Sequence, residues 1–200
     1  MPTQFIADWF TERIPLWNSM LGKFAGQPDL QFLEIGSFEG RSACWLLENI
    51  LTHPTAHLTC IDPFVIGPEY KELLAPGVVP DISEYEKHFD SNMQEIHAGN
   101  RVTKIKATSQ CALRTLPLDH YNMIYIDGSH YAASALQDIM LSWDLLKANG
   151  LLIIDDYEWI CFPDEPLKTP KPAIDAFLWV FQGRYKLLHR QYQVIVEKLS

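Results

Sequence analysis

Short apolar runs alternate with longer amphipathic stretches from residue 30 to the C-terminus. Runs such as Leu58-Thr59-Cys60-Ile61 and Leu151-Leu152-Ile153-Ile154 are too short for helices and are bounded by turn residues, which predicts strands. Strands are expected near 30–35, 57–62, 101–107, 121–127 and 150–155, with helices near 40–52, 83–97, 109–115, 131–147 and 171–182. Strands that alternate with helices imply right-handed crossovers and a mostly parallel sheet with helices on both faces. Lys147-Ala148-Asn149 followed by Gly150 predicts a helix C-terminus, with a cation in the last turn and glycine just beyond it.

The ends depart from this alternation. Ile6, Trp9, Phe10, Ile14, Trp17 and Leu21 recur at helical spacing, so residues 3–25 are expected to be helical, broken near Pro15, within a cap formed by residues 1–28. At the other end, 185–190 and 193–198 predict two strands separated only by Gln191-Tyr192, an antiparallel hairpin. Pro- and Gly-rich segments at 65–82 and 157–172 follow the second and fifth strands. Both leave the carboxyl edge of the sheet, where ligand crevices form, and are expected to shape the substrate side. The whole chain, 1–200, is expected to be one α/β domain.

Composition narrows the class. Hydrophobic residues make up 48% and the net charge is −9, with no dense Lys/Arg cluster. A packed globule is expected, and nucleic acid is disfavoured because phosphate neutralisation needs a basic face. Cys44, Cys60, Cys111 and Cys161 form no C-x-x-C pair and sit in or beside apolar stretches, which predicts buried thiols. Neither a signal peptide nor a membrane-length apolar window is evident, so a soluble cytoplasmic protein is expected, without membrane contact.

The chemistry begins at Glu34-Ile35-Gly36-Ser37-Phe38-Glu39-Gly40-Arg41-Ser42, a strand end, a tight turn and a helix start. Open α/β sheets hold nucleoside-containing ligands at such turns, and Asp62, ending the next strand, can accept from ribose hydroxyls. Phe38 stands where a dinucleotide fingerprint requires its middle glycine, which argues against a pyrophosphate. The E-x-G-x-x-x-G pattern resembles the first motif of the class I S-adenosylmethionine-dependent methyltransferases. That resemblance implies a Rossmann-like fold: a seven-stranded, mostly parallel sheet whose seventh strand inserts antiparallel between the fifth and sixth. It also implies cofactor contacts from Glu34, Gly36, Ser37, Phe38, Gly40, Ser42, Asp62, Pro63, Thr108, Ser109 and Asp127. In this scheme Gly36 approaches the methionine amino group, Ser42 binds the carboxylate, Asp62 grips the ribose, and Thr108 or Ser109 meets the adenine.

A second motif, Tyr125-Ile126-Asp127-Gly128-Ser129-His130-Tyr131, and the run ending in Asp155-Asp156-Tyr157 place three carboxylates at the ends of neighbouring strands. Adjacent strands lie about 4.8 Å apart, so Asp127, Asp155 and Asp156 should converge, and a divalent cation such as Mg²⁺ or protons must relieve their repulsion. Asp156 can instead cap a turn, and Asp127 can accept backbone N–H groups of its own loop. These two segments resemble macrocin O-methyltransferase-like and cephalosporin-hydroxylase-like proteins (methyltransferase domain family 24) and, more distantly, catechol O-methyltransferase. The resemblance implies a Mg²⁺ site at Asp127, Asp155 and Asp156. His130 is the candidate base, with Asp127 beside it, or else a histidine that holds its loop.

Together these readings predict O-methyl transfer to a small hydroxylated or glycosylated metabolite, with a homodimer as the default assembly. A cofactor-binding protein without transferase activity is the second reading, and a nicotinamide-dependent oxidoreductase a third, disfavoured by Phe38 and the terminal hairpin. The acceptor, and O- against N-methylation, are not encoded in any of these motifs.

Overall fold

The computed structural model describes residues 3–65, 67, 72 and 83–200. Its strands are β1 (Gln31–Ile35), β2 (His57–Asp62), β3 (Val102–Lys106), β4 (Tyr121–Ile126), β5 (Leu146–Ile154), β6 (Tyr185–Arg190) and β7 (Val194–Lys198). They form one seven-stranded sheet in the order β3-β2-β1-β4-β5-β7-β6. The first five are parallel, and β7 runs antiparallel between β5 and β6. The order reverses between β1 and β4, and their carboxyl ends therefore open a crevice. The Rossmann-like architecture and the inserted last strand are both as expected.

Helices α1 (Ile14–Leu21), α2 (Arg41–Asn49), α3 (Ser83–Glu95), α4 (Ser109–Ala112), α5 (Ala132–Leu145) and α6 (Lys171–Val180) cover the sheet. Alternation along each strand sorts the core into two layers. Phe32, Leu58, Met123 and Ile153 pack with Trp17, Leu46 and Phe89 on one face. Leu33, Ile61, Ile124 and Leu152 pack with Ile139, Trp143 and Phe177 on the other. Each fully buried side chain of this size contributes roughly 1.5–3 kcal/mol against leaving it in water. Among the described residues no helix is long and apolar enough to cross a membrane.

The N-terminal expectation is corrected. Helix begins only with a 3₁₀ turn at Thr11–Arg13 and continues through α1 to a second 3₁₀ turn at Gly22–Phe24. Pro15 lies in the first turn of α1 and opens the helix, where its missing N–H has no intrahelical acceptor to lose. Residues 3–10 form an irregular strap instead. Buried Asn92 accepts from Gln4 N–H and donates to Gln4 O, and Glu39 accepts from Ile6 N–H at 2.7 Å. The strap's backbone polar groups thus bond to side chains of the glycine loop and α3, which replaces helical pairing.

Two further expectations change. Helix α5 ends at Leu145, and 146–150 already belong to β5. The left-handed residue at this junction is Asn149 (φ 63), and the register against β4 shifts between Tyr121 and Met123 to absorb it. Of the four cysteines, Cys44 and Cys60 are buried but Cys111 and Cys161 are exposed. Cys111 sits on the outer side of the short α4 and Cys161 in the loop after β5, so apolar neighbours in sequence did not bring burial. The 65–82 segment lies, apart from residues 65, 67 and 72, outside the described residues.

Candidate active site

The turn after β1 is built around two left-handed glycines. Gly36 has φ +85, and a Cβ there would lie 1.9 Å from the Asp127 carbonyl oxygen. The missing side chain lets β1 and the β4 exit close up, with Gly36 N–H bonded to Ile61 O and Asp127 N–H to Ile35 O. Gly40 (φ +78) is the N-cap of α2, packed so closely on Met93 and Phe89 that a Cβ would clash. Phe38 between them is also left-handed, at φ 47. Its ring lies between Trp9 of the strap (5.3 Å) and Tyr85 of α3 (4.4 Å).

Asp62 holds this strained turn. Its Oδ2 accepts from Ser37 N–H (3.0 Å) and Phe38 N–H (2.9 Å), and Oδ1 from Phe64 N–H (2.6 Å). An ionised carboxylate offers about four acceptor sites, so three are already committed. Asp62, next to Pro63, thus anchors the turn. Burial pushes its carboxyl above the ordinary range, and the three N–H bonds oppose that.

Glu34 is fully buried behind the turn. The Ser42 hydroxyl donates to its Oε1, and the Cys60 thiol faces its Oε2 at 3.5 Å. Burial raises the Glu34 carboxyl above its usual range. Ser109, at the first residue of α4 after Thr108, has a matching arrangement, with its hydroxyl on the buried Asp138 carboxylate.

Asp127, Asp155 and Asp156 do converge, around residues the sequence pattern did not single out. The Tyr125 hydroxyl lies 2.8 Å from Asp127 Oδ2 and 2.5 Å from Asp155 Oδ2. Asp155 also accepts from Gln193 Nε2 (2.7 Å) and from Asp156 N–H (2.8 Å). Gln193 in turn accepts from Trp17 Nε1 at 2.9 Å, which ties α1 to the cluster. Burial first, then the Asp155 and Asp156 charges, push the Asp127 carboxyl well above the ordinary range. Tyr125 has one proton for two carboxylates, so the second contact needs a carboxylic proton. The three donors on Asp155 favour its ionised form and put that proton on Asp127.

This donor set does not fit a divalent cation. Among the described residues no group of three or more His, Cys, Asp or Glu side chains is placed to hold a metal ion. Asp155 faces three proton donors. Asp156 accepts from the Tyr192 hydroxyl at 2.9 Å, and its Oδ2 lies 2.9 Å from His130 Nε2. The expected Mg²⁺ site at Asp127, Asp155 and Asp156 is therefore not assembled, because proton donors fill the positions a cation would need.

His130 is buried and paired with Asp156, whose own backbone is left-handed (φ 63). The Trp159 ring stacks on the imidazole at 4.4 Å and 24°, so the 157–172 segment does reach the site. Two small clefts result. Ala7, Trp9, Gly36, Phe38, Arg41 and Ser42 line one, and Gly128, His130 and Asp156 the other; Asp127 borders both.

Tyr125, Gln193, Trp159, Arg41 and Asp138 escaped the motif reading. Tyr125 carried one usable signal: its register partner on β1 is Glu34, so the two must share a face of the sheet.

The fold recurs in known proteins. The chain is 29% identical over 130 residues to an uncharacterized protein, R132, of Acanthamoeba polyphaga mimivirus. That alignment covers 65% of this chain and 52% of R132, so the chain spans about half the length of the curated relative it matches. Among solved structures it resembles the O-methyltransferase TomG of Streptomyces achromogenes, in complex with S-adenosylmethionine. The TM-score is 0.66 at 15% identity, over 98% of this chain and 82% of that one. An O-methyltransferase of Bacillus cereus bound to S-adenosylhomocysteine gives 0.65 at 14% identity, over 100% and 84% of the two chains. Identities this low carry the fold alone. The sequence of the central region carries more: residues 33–157 match the methyltransferase domain family 24, and the chain belongs to that family of class I S-adenosylmethionine-dependent methyltransferases.

Proposed function

We propose that this protein transfers a methyl group from S-adenosylmethionine to a hydroxyl of a small hydroxylated or glycosylated metabolite. One observation carries the reading: the cleft at the glycine turn and the cleft at His130 share Asp127 as a common wall. A cofactor in the first and an acceptor in the second would approach each other there, and alignment is the main requirement of such a transfer.

The residues present fit the cofactor. The backbone of the Gly36-Ser37-Phe38 turn lines the cleft, and Arg41 and Ser42 bring the N-terminus of α2 to the same wall. Bound there, S-adenosylmethionine supplies an activated methyl on a sulfonium. His130 takes the acceptor's proton, while Asp156 fixes the ring and compensates the charge it gains. Trp159 covers the imidazole and limits water at the proton-transfer step. No step is assigned to a metal ion, because the acids are held by proton donors. The charge of −9 fits a small acceptor better than a nucleic acid.

S-adenosylhomocysteine should raise the melting temperature while NAD and NADP should not, through binding linkage. His130→Gln should abolish methyl transfer to an acceptor found by screening with labelled cofactor, yet keep S-adenosylhomocysteine affinity. A shift with NAD alone overturns the cofactor assignment. Transfer that persists in His130→Gln overturns the base.

A further inference from the structure

Helices α5 and α6 lie side by side on one face of the sheet. They meet at Ala132, Ala135 and Ala173 near their N-terminal ends and at Trp143 and Phe177 toward their C-terminal ends, so they run parallel. Their inner sides join the core through Ile139 and Ile174. Their outer sides carry Ala133, Leu136 and Met140 on α5 and Ala176, Trp179 and Val180 on α6, all exposed. Spacings of three and four residues make each set one stripe along its helix. Because Ala132 is level with Ala173, Leu136 stands level with Ala176 and Met140 with Val180. The two stripes therefore form one face.

Trp179 is 73% exposed and Val180 64%, beside Leu136 and Met140 at 36% and 40%. The six residues leave on the order of 500 Å² of apolar surface uncovered, the upper range for a patch on a monomer. None of the six carries a charge. Charges stand at the rim instead: Asp144 on α5, and Lys171 and Asp175 on α6, which pair at 2.8 Å. An apolar centre with Trp and Met inside a charged rim is the anatomy of a protein interface. The exposed positions described on α3 are Lys87, Asp90, Ser91 and Gln94, so an outer helix of this protein is not apolar by default.

We propose that this face is the contact of a two-fold dimer, with α5 and α6 of one copy packed on α5 and α6 of a second. A standard interface buries about 800 Å² on each partner, and about 65% of a homodimer interface is apolar, so the uncovered face matches the apolar core of one such contact. Two-fold symmetry sets a patch against itself. An uncharged centre tolerates that, whereas a charged one would place like against like. A lipid surface is the other partner that suits an apolar face, and a net charge of −9 disfavours an anionic membrane. Trp179, the largest of the six side chains, is the anchor of the contact.

Analytical ultracentrifugation over a range of concentrations tests this. The wild type should sediment as two chains at micromolar concentration, since contacts of this size bind at micromolar or tighter. Trp179→Glu puts a charge into the centre and should raise the dissociation constant at least about thirtyfold, with a cooperative melt retained. Met140→Glu, on the other helix, should do the same, and serves alone if Trp179→Glu does not fold. Leu118→Glu is the control: Leu118 is 69% exposed but lies outside both helices, and its variant should stay dimeric. A wild type that remains monomeric at about 100 µM, or assembles into other than two chains, overturns the proposal. So does a folded Trp179→Glu or Met140→Glu variant with wild-type affinity, which would place the contact on another face. An equal loss in Leu118→Glu overturns it too, because added negative charge alone would then be the cause.

Discussion

The Tyr125 hydroxyl lies 2.5 Å from Asp155 Oδ2 in the buried space between β4 and β5, and the same hydroxyl touches Asp127 at 2.8 Å. One phenol thus joins two carboxylates that would otherwise face each other across adjacent strand ends. Tyr125→Phe removes the bridge and leaves both acids short of a partner. The expected cost is on the order of 1–3 kcal/mol, the penalty for a buried polar group left unsatisfied. Denaturant unfolding checks this; a variant as stable as the wild type would show that the hydroxyl is not needed to join the acids.

The same bridge bears on metal use. If proton donors rather than a cation relieve the repulsion, Mg²⁺ or Ca²⁺ should not raise the melting temperature above a control of matched ionic strength, with or without S-adenosylhomocysteine. A specific rise at millimolar cation would show that the acids rearrange into a ligand set.

The residues that were hard to find in the sequence share a physical reason. Strands 57–62 and 121–127 were legible because an apolar run has one periodicity wherever it is placed, and Gly36, Asp62 and Asp127 because they end such runs. Tyr125 and Gln193 lie far apart in sequence and acquire a role only through strand pairing, with β7 beside β5. The side-chain direction of Asp156 depends on a left-handed backbone (φ 63) that its identity permits but does not demand. The three acids were therefore visible as a cluster, while their partners, which decide between cation and proton, were not.

Gly36 offers a direct test of the strand closure. In Gly36→Ala the new Cβ would sit 1.9 Å from a backbone oxygen and 2.5 Å from its carbon, with no flexible side chain to give way. The φ of +85 adds strain, so the loss should reach about 3–5 kcal/mol. Gly183→Ala is the control, since it has a similar φ (+81) but nothing within 4 Å. It should lose only about 1–2 kcal/mol. Equal melting temperatures for the two variants would mean that the close approach of Gly36 to Asp127 does not constrain the fold.

Asp138 predicts a pH dependence of opposite sign to that of a salt-bridged acid. It is buried on α5, bonded to Ser109 through one oxygen, while among the described residues Oδ1 meets no donor. Burial pushes its carboxyl from 3.8 up to about 6. The folded state therefore holds the proton more tightly than the unfolded chain does. Its contribution to stability is complete below about pH 3.8 and is lost as pH rises toward 6. Two pK units correspond to about 3 kcal/mol. Asp138→Asn keeps the shape, does not titrate, and can donate its amide to the Ser109 hydroxyl. The variant's melting temperature minus that of the wild type should climb by several degrees between about pH 4 and pH 6 and level off above. Taking the difference cancels the other buried acids, which titrate in both proteins. A difference that is flat, or that falls with pH, would mean that Asp138 is ionised and paired in the folded protein.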